Sequence, residues 1–440
     1  MQLNLEHTTK WLLYISLVWI IIDGIFRKWV FPELSTPIFA IKYILFGITY
    51  VLHFLNTGFF MPRIKHGFQF LIVIFVAYCF FLLFYNPFNI SWIIQIFGLI
   101  NYLFFIPLLL LIPYYFDSIE KIEKMMKFLA YISIPIFIIG ILQYYLPVDH
   151  ILNYLPNEDQ KYNMVAQFTR SISIFSFVKI YNVYLVFVLL SFLAYIYYLM
   201  LIVKSSWLYI VLFFLGLLNL FMTGSRLPMA VTLISVSIML IYFFLQISKF
   251  RKTIITTFLL GALLSLSLYS ISSTFNVAVD AFVKRSITSE EIAAKGRENY
   301  SAKDRAIESI DAFKFANQAG YLGFGVGITY QGTGNVLIKY MPDIPFEEEG
   351  ERIVLEIGII GGILVLLLRF FISIYAFNTL IKIKKISFAI LIIPFVLYLI
   401  PSVFFLSNNT FNYLEGFSYW FAFALVLSIR NIYTETKYKT

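Results

Sequence analysis

The sequence runs to 440 residues, of which 60% are apolar, 20% aromatic and only 13% charged, with a mean hydropathy of +0.84. Water-soluble chains carry about a quarter charged residues, so this balance excludes a cytosolic globule and places most of the chain in lipid. The net charge of +9 is spread between apolar stretches, which argues against a nucleic-acid partner, and the single cysteine, Cys79, excludes a disulfide framework and a thiolate metal site.

A bilayer core of roughly 30 Å takes about 20 apolar residues per helix, because lipid offers no partner to an unpaired backbone amide. That template predicts an all-α polytopic membrane protein. About twelve spans are expected, near 11–26, 38–55, 68–85, 90–116, 128–146, 178–203, 206–223, 228–247, 254–274, 352–378, 387–406 and 411–429. The first follows Lys10 and ends in Asp23-Gly-Ile-Phe-Arg-Lys-Trp29 without a small-residue cleavage site, so a retained anchor is expected rather than a removed signal peptide.

Orientation follows from the basic residues of alternate short loops. One set holds Lys10, Arg63, Lys65, Lys121, Lys124, Lys127, Lys204, Lys249, Arg251, Lys252, Lys382, Lys384, Lys385, Arg430, Lys437 and Lys439. The other holds only Arg27, Lys28, Lys161, Arg170 and Arg226. The positive-inside rule then predicts both termini in the cytoplasm and the long segment 275–351 outside it.

That segment contains half of the chain's 24 acidic residues and is far longer than a connector needs to be, which points to a functional loop. Within it, 302–317 places Ile307, Ile310, Phe313 and Ala316 opposite Lys303, Asp304, Glu308 and Asp311, the pattern of an amphipathic helix. The expected organisation is a membrane domain over 1–274, a large extracytoplasmic loop with short amphipathic helices over 275–351, and a second membrane portion over 352–440. A second, shorter outward loop covers 147–177.

Charged residues inside the expected spans include Asp23, Lys42, Lys179 and Arg369. Asp23 precedes Arg27 by four residues, so an ion pair on one helix face stands against a site role. Lys42 and Lys179 lie near a span boundary, where a long stem can snorkel to water. Arg369 falls near the inner end of its span and is assigned no function. Arg27, Lys28, Arg170, Arg226, Arg305 and Arg352 form a more informative set, because all fall on the side that the positive-inside rule depletes. Singly, each is expected to pair with an acid or an anionic lipid; together they suit the phosphate oxygens of a lipid headgroup.

Two further motifs lie in or beside the long loop. Gly320-Tyr-Leu-Gly-Phe-Gly-Val-Gly327 lacks the spacing and preceding strand of a dinucleotide fingerprint, and reads as a tight turn that lets backbone approach a neighbour. Glu347-Glu-Glu-Gly-Glu-Arg-Ile-Val-Leu-Glu356 is an acidic run opening an apolar helix. Its carboxylates suit a helix N-terminus, and one beside Arg352 also suits a general base. Other chemistries fall away. His7, His53, His66 and His150 are scattered, no Walker loop occurs, and Ser225 lacks a nucleophile-elbow context, so no metal, cofactor or triad is expected.

Thr223-Gly-Ser-Arg226 opening a span, Gly323-Phe-Gly-Val-Gly327 in one large loop, and Glu351-Arg-Ile-Val-Leu-Glu-Ile-Gly-Ile-Ile-Gly361 after it resemble, in that order, the O-antigen ligase and polysaccharide polymerase family of bacterial inner membranes. Arg27-Lys28-Trp29 is similar to a subgroup of exopolysaccharide polymerases. The resemblance implies a metal-independent, inverting glycosyltransferase that acts on the outer face of the inner membrane. Its donor would be an undecaprenyl-pyrophosphate-linked glycan and its acceptor another glycan. Its partners would include the bilayer, a chain-length regulator and other polysaccharide-assembly proteins. Family arginines that hold pyrophosphate map to Arg226 and Arg305. The ligases' loop histidine is missing between 275 and 351, which moves the expectation towards a polymerase, with Glu349 or Glu351 as base and Arg352 orienting it. Arg27, Lys28, Arg170 and Lys179 complete the expected donor-binding set. A ligase, or a transporter or lipid flippase, is the alternative.

Overall fold

The computed structural model describes residues 5–58, 66–155, 164–165, 168–252, 254–256, 311–329, 348–404 and 406–439. The described chain is helical apart from a two-residue strand pair, Met164–Val165 with Phe168–Thr169. In chain order the helices are α1 (Leu5–Ile25), α2 (Ser35–Thr57), α3 (His66–Leu82), α4 (Trp92–Leu103), α5 (Leu108–Tyr115), α6 (Ile119–Tyr145), α7 (Val178–Leu201), α8 (Trp207–Met222) and α9 (Arg226–Gln246). They continue with the short α10 (Ala316–Ala319), α11 (Glu349–Lys382), α12 (Ile386–Leu399) and α13 (Tyr413–Lys439). The chain divides into two compact units. The first comprises 1–10, 50–122 and 303–440, and the second 11–49 and 123–302.

Among the described residues, seven helical segments are long and apolar enough to cross a membrane, and an eighth is gained if α4 and α5, bent by 42° at their junction, count together. This is a helical membrane protein. The expected spans at 68–85 and 206–223 coincide with α3 and α8, which at 17 and 16 residues are shorter. The expected span at 411–429 lies in α13, which is not among the seven. Apart from 254–256, the span expected at 254–274 lies outside the described residues. The amphipathic helix expected at 302–317 differs where it is described: 312–315 form a turn and only Ala316–Ala319 is helical.

The second unit is built on α7, which is hydrophobic all round and therefore almost wholly buried, with α8 and α9 packed on it. Hydroxyl and amide groups meet inside it: the Ser133 and Tyr184 hydroxyls lie 2.7 Å apart, and Tyr181 donates to Asn219 Oδ1 at 2.8 Å.

In the first unit α11 corrects the expectation of one straight span over 352–378. Gly358 has φ 70° and ψ −175°, outside the helical region, and divides the helix into 349–357 and 359–382. A continuous helix would hold Glu349 and Arg369 about 30 Å apart. Their side chains meet at 2.8 Å, so the chain doubles back at Gly358 and the short arm lies along the long one. A Cβ built at Gly362 would likewise lie 3.0 Å from Val354. The glycine-rich turn supplies the backbone partners that such a break removes. Phe324 and Gly325 donate to the carbonyls of Leu355 and Glu356, while Ile359 and Ile360 donate to those of Gly320 and Tyr321. Tyr78 donates its hydroxyl to the Ile357 carbonyl. Only glycine fits at 358, because a Cβ there would meet the Tyr321 carbonyl oxygen at 2.2 Å as well as demanding a positive φ.

Candidate functional site

In the second unit the expected cations gather on one ten-residue segment, 170–179. Gln143 fixes this segment: its Oε1 accepts from the Ile172 and Ser173 amides at 3.0 and 2.5 Å, and its Nε2 donates to the Ser173 carbonyl. That carbonyl also accepts from Lys28 Nζ at 2.7 Å. Arg27 donates Nε to Ser35 Oγ at 3.2 Å and Nη1 to Ser176 Oγ at 3.1 Å. Arg170 donates Nε to the Thr223 carbonyl and Nη2 to Ser225 Oγ, both at 2.8 Å. The anchors of Arg27 and Lys28 are neutral oxygens.

Two helix N-termini belong to the same locus. α7 begins at Val178 after Phe177, and α9 begins at Arg226 after Ser225; neither has a side-chain cap. Ser225 would ordinarily cap α9. Here its Oγ instead accepts from Arg170 and from Asn182 Nδ2, which ties the two helix starts together. Uncapped amides carry partial positive charge and favour an anion. Lys179 is exposed and Arg226 half-buried, and neither holds a partner among the described residues.

The end of α1 reaches this segment through Gly24, where a Cβ would stand 2.1 Å from the Ile174 carbonyl oxygen. Gly24→Ala is therefore expected to push α1 off the segment, carrying Arg27 and Lys28 with it. A loss of about 1–3 kcal/mol, typical of overpacking, should appear in detergent thermal unfolding.

Two expectations about this region are corrected. Asp23 meets Lys42 of α2 at 2.7 Å, and the hydrogen bonds of Arg27 go to hydroxyls. Lys42 does not snorkel to water: its side chain is 0% exposed. The physical reason is local. Residues Phe26–Val30 are wound as a π turn, closed by the Phe31 amide on the Phe26 carbonyl, which alters the bearing of Arg27 relative to a regular helix.

In the first unit the acidic run sorts into separate roles. Glu349, expected as a base, forms a bidentate pair with Arg369 and also accepts from the Thr410 amide at 2.6 Å. Glu351, the other expected base, closes a capping box with Glu348 and pairs with Lys314 at 3.5 Å. Both carboxylates are engaged in holding the start of α11. Arg352 donates Nε to Thr329 Oγ1 and Nη2 to the Thr329 carbonyl, and its guanidinium lies 3.8 Å from the Phe411 ring centroid.

The residue that sequence reasoning passed over is Glu356. It is fully buried, and its Oε1 accepts from the amide and hydroxyl of Thr329 at 3.1 and 2.5 Å. Its Oε2 has no hydrogen bond, and neither has the buried Tyr102 hydroxyl. Gln95, on the same buried face of α4 as Tyr102, leaves both amide atoms unpartnered. A carboxylate four residues after Arg352 in an otherwise apolar run was the available signal. Arg305 and Glu347 lie outside the described residues, and among those described no cluster of metal-binding side chains occurs. Compared with known proteins, the chain matches no family model and no curated sequence.

Proposed function

We propose that this protein is a membrane glycosyltransferase of the polysaccharide polymerase type, with the second unit holding the pyrophosphate of a lipid-linked glycan donor. The observation that carries the reading is the gathering of Arg27, Lys28, Arg170, Lys179 and Arg226 around segment 170–179 and two uncapped helix starts. Cations gathered in a chain this apolar suit a diphosphate on a lipid, and the order of the sequence motifs supports the same class.

In this reaction the acceptor hydroxyl oxygen attacks the anomeric carbon. The bond to the pyrophosphate oxygen breaks with inversion, and the leaving undecaprenyl pyrophosphate takes the electron pair. Fixed guanidinium groups favour the developing charge over the ground state. The acceptor's proton passes to water, and in the first unit Glu349 and Glu351, the bases expected from the sequence, are committed to Arg369 and Lys314. The full proposal is a twelve-span protein of the bacterial inner membrane, with cytoplasmic termini and the segment 275–351 outside, whose partners are the lipid-linked glycans, the bilayer and the polysaccharide-assembly proteins.

Incubating the purified protein with a defined lipid-linked repeat unit, and no lipid A core, tests the reading. A ladder of longer chains is expected. Transfer only after a different acceptor is added would make the protein a ligase, and movement of the lipid across vesicles without bond formation would make it a flippase.

A further inference from the structure

We infer that Ser225 and Asn182 form a subsite for the junction of diphosphate and sugar: the Ser225 hydroxyl donates to a phosphoryl oxygen, and Asn182 Oδ1 accepts a proton from the sugar beside it. The inference rests on the pyrophosphate reading of the second unit and deepens it.

The role of Ser225 follows from counting. A serine hydroxyl has one proton and two lone pairs, whereas a guanidinium and an amide NH2 only donate. Ser225 Oγ accepts from Arg170 Nη2 and from Asn182 Nδ2, each at 2.8 Å. Both lone pairs are engaged, so the hydroxyl proton must point to a third group, and among the described residues no acceptor takes it. At an ordinary helix start the capping oxygen accepts from the first amides. At the start of α9 that polarity is reversed: the amides are uncapped and the half-buried serine presents a proton beside them. Such an end suits a ligand made of acceptors, and a phosphoryl group offers only acceptor oxygens.

Asn182 has the opposite need. It is 3% exposed, and its Oδ1 has no hydrogen-bond partner. Its amide is held against the start of α9 by the bond to Ser225, and it lies on the same face of α7 as Lys179, three residues earlier. A buried acceptor with no donor is costly, so the missing donor belongs to what fills the site. The diphosphate cannot supply it, because a diphosphate linking lipid to sugar is fully ionised at neutral pH, and the lipid chain has no polar hydrogen. The sugar carries hydroxyls close to its anomeric carbon. A sugar diphosphate on a lipid therefore meets both demands at once.

The test titrates two lipids into the purified full chain: undecaprenyl pyrophosphate alone, and the same lipid carrying one N-acetylglucosamine. The parent is expected to bind the glycosylated lipid about tenfold more tightly, the scale of one hydrogen bond to a buried acceptor. Asn182→Leu should bring the two Kd values within about twofold of each other, while the bare lipid stays within about threefold of the parent because Ser225 keeps its proton. Ser225→Ala should raise Kd for the bare lipid about tenfold, and Ser225→Thr, which keeps the hydroxyl, should stay within about threefold. If these residues only tied α7 to α9, replacing either would weaken both lipids alike. An unchanged ratio of the two Kd values in Asn182→Leu overturns the inference, as does Ser225→Ala that binds the bare lipid like the parent. If Asn182→Leu or Ser225→Ala does not fold, Asn182→Ala or Ser225→Gly replaces it with the same expectations. The parent separates the inference from the reading beneath it. Binding of the bare lipid with no preference for the sugar overturns the inference and leaves the pyrophosphate reading standing; binding of neither lipid overturns both.

Discussion

Arg226→Ala is expected to abolish chain extension on a lipid-linked repeat unit while leaving the protein inserted and folded. The guanidinium holds no partner among the described residues and stands at the first residue of α9, so its loss leaves no partner charge unpaired among them. What it removes is a fixed positive charge at the place proposed for the leaving diphosphate. Deleting one preorganised donor to a developing oxyanion costs about 10²–10³ in rate, and a similar factor is expected here. Gel analysis of the glycan should show single repeat units in place of a ladder. Arg226→Lys should recover part of the activity, because a point charge replaces the fork that engages two phosphate oxygens. Normal chain length in Arg226→Ala would remove this residue from the site.

Arg369→Leu carries the largest expected cost to stability. Its guanidinium gives both Nη atoms to Glu349, and contacts the Ser402 carbonyl and the Thr410 hydroxyl, inside a pair whose side chains are 4% and 1% exposed. This pair clips the short arm of α11 to the long one. Removing one partner of a buried pair costs about 3–5 kcal/mol, because the remaining charge stays desolvated, and the arm carrying Arg352 and Glu356 should come loose. Replacing both, as Glu349→Leu/Arg369→Leu, leaves no orphan charge and should restore most of the stability. Thermal unfolding in detergent, read by intrinsic fluorescence, compares the three proteins. A single variant as stable as the parent would show that the hairpin is held by other contacts.

Much of the helix layout was legible because apolar runs long enough to cross a bilayer have few other solutions. The cations of the second unit were legible for a related reason: Arg27, Arg170 and Arg226 sit where the positive-inside rule leaves few, so their presence asks for an explanation. The hairpin was not legible. Ile353 to Leu364 reads as one apolar helix, and Gly361 and Gly362 in the same run make Gly358 unremarkable; its backbone angle alone turns the chain. That turn brings Arg369 back to Glu349 and converts an apparent base into a structural anchor. The partner of Asp23 was hidden as well, because the four-residue rule assumes a regular helix and the π turn at Phe26–Val30 is not one. Glu356 was passed over because its acidic neighbours upstream drew the search for a base. Only burial, with one oxygen satisfied and the other open, sets it apart.

The most direct test of the central claim follows the diphosphate itself. Purified protein is supplied with a repeat unit on undecaprenyl pyrophosphate, labelled in the phosphate nearer the sugar, and the label is tracked by mass spectrometry as product forms. One undecaprenyl pyrophosphate released with both phosphates intact for every glycosidic bond made is the predicted result, with release lost in Arg226→Ala. Glycan that stays attached to its original lipid, or release that proceeds unchanged without Arg226, would contradict it.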